Sequence, residues 1–247
     1  ADVFFGEPTR ELDVVGVTGT NGKTTTAFLL YAILAAAGRR PGLLGTIESR
    51  VGGERRHVVR TTPEAIDLQR TFREMLDAGD RSCAMEASSH ASELRRLDRV
   101  RFACLVFTNL SQEHLDFHGT MERYFEAKRR LFLGDDPPPA AINVGDEWGR
   151  RLAADRPDAV TFGTAPDAAV GPAALAGIDL KLRGRFNIEN ALGALVAARI
   201  LGIDDAVQAV GRVGHQERER GRAARGALAD CLDQRRRRSR AVGDDQD

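Results

Sequence analysis

One stretch restricts the fold more than any other: VVGVTGTNGKTTTAFLL, Val14 to Leu30. An apolar run rich in valine passes through two glycines into a helical pattern that opens with Lys23 and Thr24. A strand that turns on glycines into a helix gathers backbone N–H groups and the positive end of the helix dipole at one point, a cradle for phosphate oxygens. The turn GVTGTNGKTT departs by one place from the strict phosphate-loop pattern, which would need glycine where Val17 stands. Gly19 and Gly22 still supply the wrap, and Thr18, Thr20, Asn21 and Thr25 complete the loop. Lys23 is placed for β- and γ-phosphates and the Thr24 hydroxyl for Mg²⁺. The plain alternative is a glycine-rich turn without a ligand, and the Lys-Thr pair in this context argues against it.

The rest of the chain fits a sheet built around that turn. Strand-like runs LDVVGVT, GLLGTI, RSCAMEA, RFACLVFT, AAINV and AVTFG alternate with helical stretches. This is the pattern of an α/β fold, a mostly parallel sheet with helices on both faces. The first helix is expected from about Gly22 to Ala37, stopped by Gly38. A second begins in TTPEAIDLQRTFREMLDAG, with Thr62 as N-cap and Pro63 in the first turn. ESRVGGERRHVV reads as an exposed hairpin around Gly52 and Gly53, and later helices are GTMERYFEAKRRLFL and FNIENALGALVAARILG. We divide the chain into a nucleotide-binding domain over residues 1–211 and a tail over 212–247. The tail carries ten arginines and no aromatic residue, too little apolar surface to offset its ordering entropy, and disorder is expected there.

Composition narrows the partners. Formal net charge is zero, which gives no whole-molecule attraction to nucleic acid or membrane. No apolar run is long enough to span a bilayer, and the start lacks the layout of a signal peptide. Cys83, Cys104 and Cys231 are too scattered for a disulfide framework or a zinc site, so a reducing, cytoplasmic setting is expected. The sequence leaves the oligomeric state open, and a monomer is the expectation. The absence of an initiator Met suggests a fragment. The 36 basic residues comprise 33 arginines and only three lysines, Lys23, Lys128 and Lys181. A lysine in such a chain is a candidate for chemistry that guanidinium cannot do, since a primary amine can lose its proton or take a small adduct.

Lys128 sharpens that point. Met121, Tyr124, Phe125 and Phe132 form the apolar stripe of their helix, and Lys128 falls on it while Arg129 and Arg130 face away. Snorkelling of the ammonium to water is the ordinary explanation, and a lysine held at an active site is the other. Glu86 and His114 follow strands whose C-terminal ends border the crevice in which open α/β sheets bind ligands. A carboxylate and an imidazole there suit a divalent cation bridging phosphates, whereas a surface Glu and a capping His are the bland readings. Asp116 and His118 lie in the same loop and read as structural, and RTTPE and SSH both have adequate explanations as helix N-termini.

Taken in order, VVGVTGTNGKTTT, TTPE, MEASSHASELRRLDRVRF, FTNLSQEHLDFHGTMERYFEAKRRLF and GRFNIENALGALVAA resemble the central ATPase domain of the Mur ligases, over about Val3 to Gly211. The match is nearest to the tripeptide-synthetase type. The resemblance implies an ATP-dependent amide-bond ligase that adds the third amino acid, a diamino acid, to UDP-MurNAc-L-Ala-D-Glu through an acyl phosphate. It further implies that Lys23 and Thr24 hold the phosphates and one Mg²⁺. Glu86 and His114 would ligate two such ions, with Lys128 carbamylated beside them as an anion that helps hold metal. Thr61, Thr62, Ser88 and Arg96 match positions that contact the UDP-sugar peptide, and Asn187 and Asn190 match the helix start near the adenine.

The departures from the family are also informative. The uridine-binding amino-terminal domain and the amino-acid-selecting carboxy-terminal domain have no counterpart here, and Gly145 stands where the family commonly has an acid. The implied protein is part of a longer ligase. Its alternatives are a catalytically silent remnant that binds ATP and Mg²⁺, or a Mur-like ligase with another acceptor, against which TTPE and SSHASELRR argue.

Overall fold

The computed structural model describes residues 1–178, 180 and 184–203. The arginine-rich tail over 212–247, Lys181 and Cys231 lie outside those residues. Eight strands form one sheet: β1 (Asp13–Thr18), β2 (Pro41–Leu44), β3 (Ser49–Val51), β4 (Glu54–Arg56), β5 (Ser82–Glu86), β6 (Phe102–Phe107), β7 (Ala140–Asn143) and β8 (Val160–Phe162). Their order is β4-β3-β2-β5-β1-β6-β7-β8. Every pairing from β2 to β8 is parallel, while β2–β3 and β3–β4 are antiparallel. All six strands expected from sequence are present, and the two extra ones are the hairpin around Gly52 and Gly53. That hairpin is only half exposed, because Arg50 and Val51 turn inward.

Helices cover both faces. α1 (Lys23–Ala36) and α7 (Arg185–Ile200) lie together on one side, where Leu29, Leu30, Ile33 and Leu34 meet Leu192, Leu195 and Val196. The other face carries α2 (Ala65–Asp77), α3 (Ser89–Glu93), α4 (Leu115–His118), α5 (Met121–Arg129) and α6 (Glu147–Asp155). Leu68, Phe72, Met75 and Leu76 of α2 recur at helical spacing and are buried, each removing about 1.5–3 kcal/mol of apolar exposure. One boundary differs from expectation. α2 starts at Ala65 with Glu64 at its extended N-cap position, so Thr62 is not the cap and Pro63 precedes the first turn. The Thr62 hydroxyl is engaged elsewhere, donating to the Glu86 backbone oxygen at 2.8 Å. Among the described residues no helix is long and apolar enough to cross a membrane.

The strand order explains where a ligand can sit. From β1 the chain moves first to the β2 and β5 side and later to the β6, β7 and β8 side. The order therefore reverses at β1, and a crevice opens beyond its C-terminal end, where the glycine turn begins.

Candidate active site

The turn after β1 is held on both flanks. Val17 is still in the strand, paired with Glu86 on β5 and Val106 on β6 and fully buried. Glycine is thus not needed at 17, and the reversal is made by Gly19 at φ +147° and Gly22 at φ +86°. The loop is then pinned by the segment following β6. Thr20 N–H donates to the Asn109 backbone oxygen at 2.8 Å and Asn21 N–H to the Asn109 side-chain oxygen at 2.9 Å. Thr108 donates to the Asn21 carbonyl at 2.7 Å. A Cβ on Gly22 would lie 2.1 Å from the Asn190 side-chain oxygen, so α7 approaches the loop at closest range just where Asn187 and Asn190 share a bond of 3.4 Å. Thr108, Asn109 and Ser111 were missed from sequence, although TNLSQEH directly follows a strand and so had to border the crevice.

Lys23 curls back onto the loop, its ammonium donating to the carbonyls of Gly19 at 3.1 Å and Thr20 at 2.8 Å. Burial pushes its pKa down, against the pull of Glu86 and Glu113. Lys128 reaches the same place from α5. Its ammonium donates to the Gly19 carbonyl at 2.9 Å and sits 4.6 Å from the Tyr124 ring centroid. The residue is 1% exposed, which excludes snorkelling. Burial first, then the charge of Lys23, holds its pKa well below the usual lysine value.

Glu86 ends β5 and is 1% exposed. Its carboxylate accepts from the Thr24 hydroxyl at 3.0 Å, from Thr46 N–H at 2.8 Å and from the Thr46 hydroxyl at 3.1 Å. The surface reading is therefore wrong. His114 occupies the N-cap position of α4 in a left-handed conformation, φ +55°, without a side-chain cap bond. Its ring stands edge-on to His90 at 4.9 Å. His118, read from sequence as structural, is buried and bonded to Ser89 at 3.0 Å.

A cleft of about 560 Å³ opens beside the glycine turn, and Lys23, Thr61, Thr62, Ser88, Arg96, His114 and Lys128 all line it. Ser88 caps α3 through Ala91 N–H, yet its hydroxyl is also 3.2 Å from that of Thr62. Arg96 donates to the Thr62 carbonyl at 3.4 Å and pairs with Glu64 at 2.8 Å, leaving its Nε buried without a partner. Thr46, Arg60, His90, Glu113 and Tyr124 also face the cleft and were not expected from sequence. Thr46 belongs to the strand-like run GLLGTI but lies past the observed end of β2, and Arg60 opens RTTPE, which read as a helix start. Among the described residues no group of three or more His, Cys, Asp or Glu side chains is placed to hold a metal ion.

Comparison with known proteins agrees with this geometry. Residues 17–198 match the model of the Mur ligase middle domain. The chain is 43% identical over 234 residues to UDP-N-acetylmuramoyl-L-alanyl-D-glutamate–2,6-diaminopimelate ligase of Geobacter metallireducens, covering 84% of this chain and 46% of that one. The enzyme of the same name from Streptomyces coelicolor is 43% identical over 245 residues, covering 88% and 48%. A solved structure of such a ligase superposes with a TM-score of 0.71 at 29% identity, covering 83% of this chain and 46% of that one. The chain spans about half the length of the curated relatives it matches. Matched over residues 17–198 and 43% identical to such a ligase, the chain belongs to the Mur ligase family and carries that family's middle domain.

Proposed function

We propose that this chain is the nucleotide-handling part of an ATP-dependent ligase that joins a diamino acid to UDP-MurNAc-L-Ala-D-Glu. The observation that carries the reading is the meeting of two lysines on the glycine turn: Lys23, half-buried on α1, and Lys128, fully buried on α5, both reach the Gly19 carbonyl, at the end of a cleft lined by Thr61, Thr62, Ser88 and Arg96. A carboxylate is a poor electrophile at neutral pH. Its oxygen attacks the γ-phosphorus, the bond to the bridging oxygen breaks, and ADP leaves. The amine of the diamino acid then attacks the acyl carbon and loses a proton as inorganic phosphate departs.

Negative charge moves during the first step, so cationic groups fixed beforehand lower the barrier. Lys23 would exchange its bonds to loop carbonyls for phosphate oxygens, while the loop N–H groups meet the remaining oxygens. Arg96, which lines the cleft, would meet a substrate carboxylate there. Thr62 and Ser88 fix its orientation. Asn187 and Asn190, beside Gly22, would border the base.

Mg²⁺ fits the donors present, since it is commonly held by one or two carboxylates together with phosphate oxygens. Thr24 and Glu86, 3.0 Å apart beside Lys23, would hold one ion, and His114 with Lys128 would border a second. Such ions neutralise phosphate charge and hold the triphosphate in line. Lys128 suits carbamylation because its depressed pKa favours the free amine. Carbon dioxide would add to the nitrogen with release of one proton and leave an anion facing the metal.

Titration of Mg·ATP into the full chain and into Lys23→Ala tests the reading. Loss of binding in the variant is expected, and equal affinity would overturn it.

A further inference from the structure

Tyr124 touches three parts of this site. It is fully buried on α5, one turn before Lys128. Its hydroxyl lies 3.2 Å from the Thr20 hydroxyl, a residue of the glycine turn whose own oxygen accepts from Ser111 N–H at 2.9 Å. Its ring lies 4.6 Å from the Lys128 ammonium, stacks on His118 at 5.0 Å and 30°, and meets the edge of His114 at 6.0 Å. Burial pushes the phenol up to about 12, so it is a neutral hydrogen-bonding hydroxyl at any working pH.

A buried tyrosine could reach its hydroxyl to any nearby carbonyl and serve as core alone. This one instead contacts the phosphate-cradling turn, the lysine on its own helix and the histidine loop. We propose that Tyr124 is a positioning residue of the nucleotide site: its hydroxyl fixes the glycine turn through Thr20, and its ring sets the floor on which Lys128 rests. The inference builds on the nucleotide reading above and adds a residue role to it. Because the ring fills the core between Lys128 and His118, the Tyr124→Phe change removes only the hydroxyl and leaves the packing in place.

The test is a double-mutant cycle on Mg·ATP affinity in the full chain, with Tyr124→Phe, Thr20→Val and the pair, each also measured for thermal stability. Loss of one buried hydrogen bond is expected to weaken binding about fivefold in Tyr124→Phe. Thr20→Val should weaken it too, and adding the tyrosine change to Thr20→Val should cost nothing more, because the partner is already gone. Equal affinity of Tyr124→Phe and wild type, or independent effects of the two changes, would overturn the proposal. So would a loss of affinity that merely tracks a fall in melting temperature, which would make Tyr124 core and no more. If the wild-type chain itself fails to bind Mg·ATP, the reading of the previous subsection falls, and this one with it.

Discussion

At the residue scale, the decisive fact is that Lys128 is buried as completely as the hydrophobes of the core. Its ammonium lies over the Tyr124 ring and shares the Gly19 carbonyl with Lys23. Desolvation and a neighbouring cation both act against the charged form, so the folded state binds a proton less readily than the unfolded chain does. Between the depressed folded value and the ordinary 10.5, the unfolded state holds more protons, and stability rises with pH across that window. Lys128→Met keeps the volume and leaves the Gly19 carbonyl its bond from Lys23. We expect this variant to be about 1–2 kcal/mol more stable than wild type at neutral pH. That advantage should shrink as pH climbs toward 10.5, as followed by denaturant unfolding at a series of pH values. A less stable variant at pH 7 would mean that the amine is well accommodated as it stands.

Sequence placed Lys128 on the inner stripe of its helix because period and lysine scarcity are both visible in a string of letters. What the ammonium touches is not. Tyr124 looked like an ordinary apolar member of the same stripe, and its reach to Thr20 joins positions 104 residues apart. Thr46 read as part of the strand run GLLGTI, whereas it lies past the end of β2, and its two bonds to Glu86 depend on how that loop lies over the end of β5. Glu86 was legible through its place at a strand end, although its burial was not.

At the scale of elements, the strand-turn-helix unit and the α7 N-terminus are coupled by lack of space. Gly22 has φ +86°, and a Cβ there would strike the Asn190 side-chain oxygen at 2.1 Å. Gly22→Ala meets two separate obstacles. The left-handed backbone alone costs an L-residue about 1–2 kcal/mol, and displacement of Asn190 adds to it. The expected outcome is a lower melting temperature together with weaker Mg·ATP binding. In an Asn190→Ala background the same substitution should cost less stability, because the clash is removed while the backbone strain remains. Equal costs in both backgrounds would show that the close approach of α7 is slack. Continuous apolar runs gave the six expected strands, whose central members are buried on both faces, and the period-3.6 pattern gave the main helices, because both signals are local in the chain. The start of α2 was misplaced because Thr62 looks like a cap in sequence, whereas its hydroxyl is drawn to the Glu86 carbonyl by a tertiary contact.

At the scale of the molecule, the site lies where one sheet and two cores meet. The α1–α7 core supports Lys23 and Thr24 from one face, and the core under α2 and α5 supports Thr62 and Lys128 from the other, with β1 and Glu86 between. A ligand that bridges the turn, Glu86 and the cleft therefore ties both layers to the sheet, and its binding should be read by the whole fold. A ligand that binds only the folded state at a hundred times its dissociation constant adds about 2.7 kcal/mol of stability. For a protein of this size that corresponds to a rise of roughly 5–10 °C in melting temperature. We expect that rise with ATP and Mg²⁺ together and a much smaller one with ATP alone, because the buried Glu86 carboxylate repels phosphate unless a cation stands between them. In Glu86→Gln the side chain still accepts from Thr24 and the charge is gone, so the difference between the two conditions should largely vanish. A melting curve that rises equally with and without the metal in the wild-type chain would show that Glu86 faces no cation, and would remove the pairing of Thr24 and Glu86 from the site.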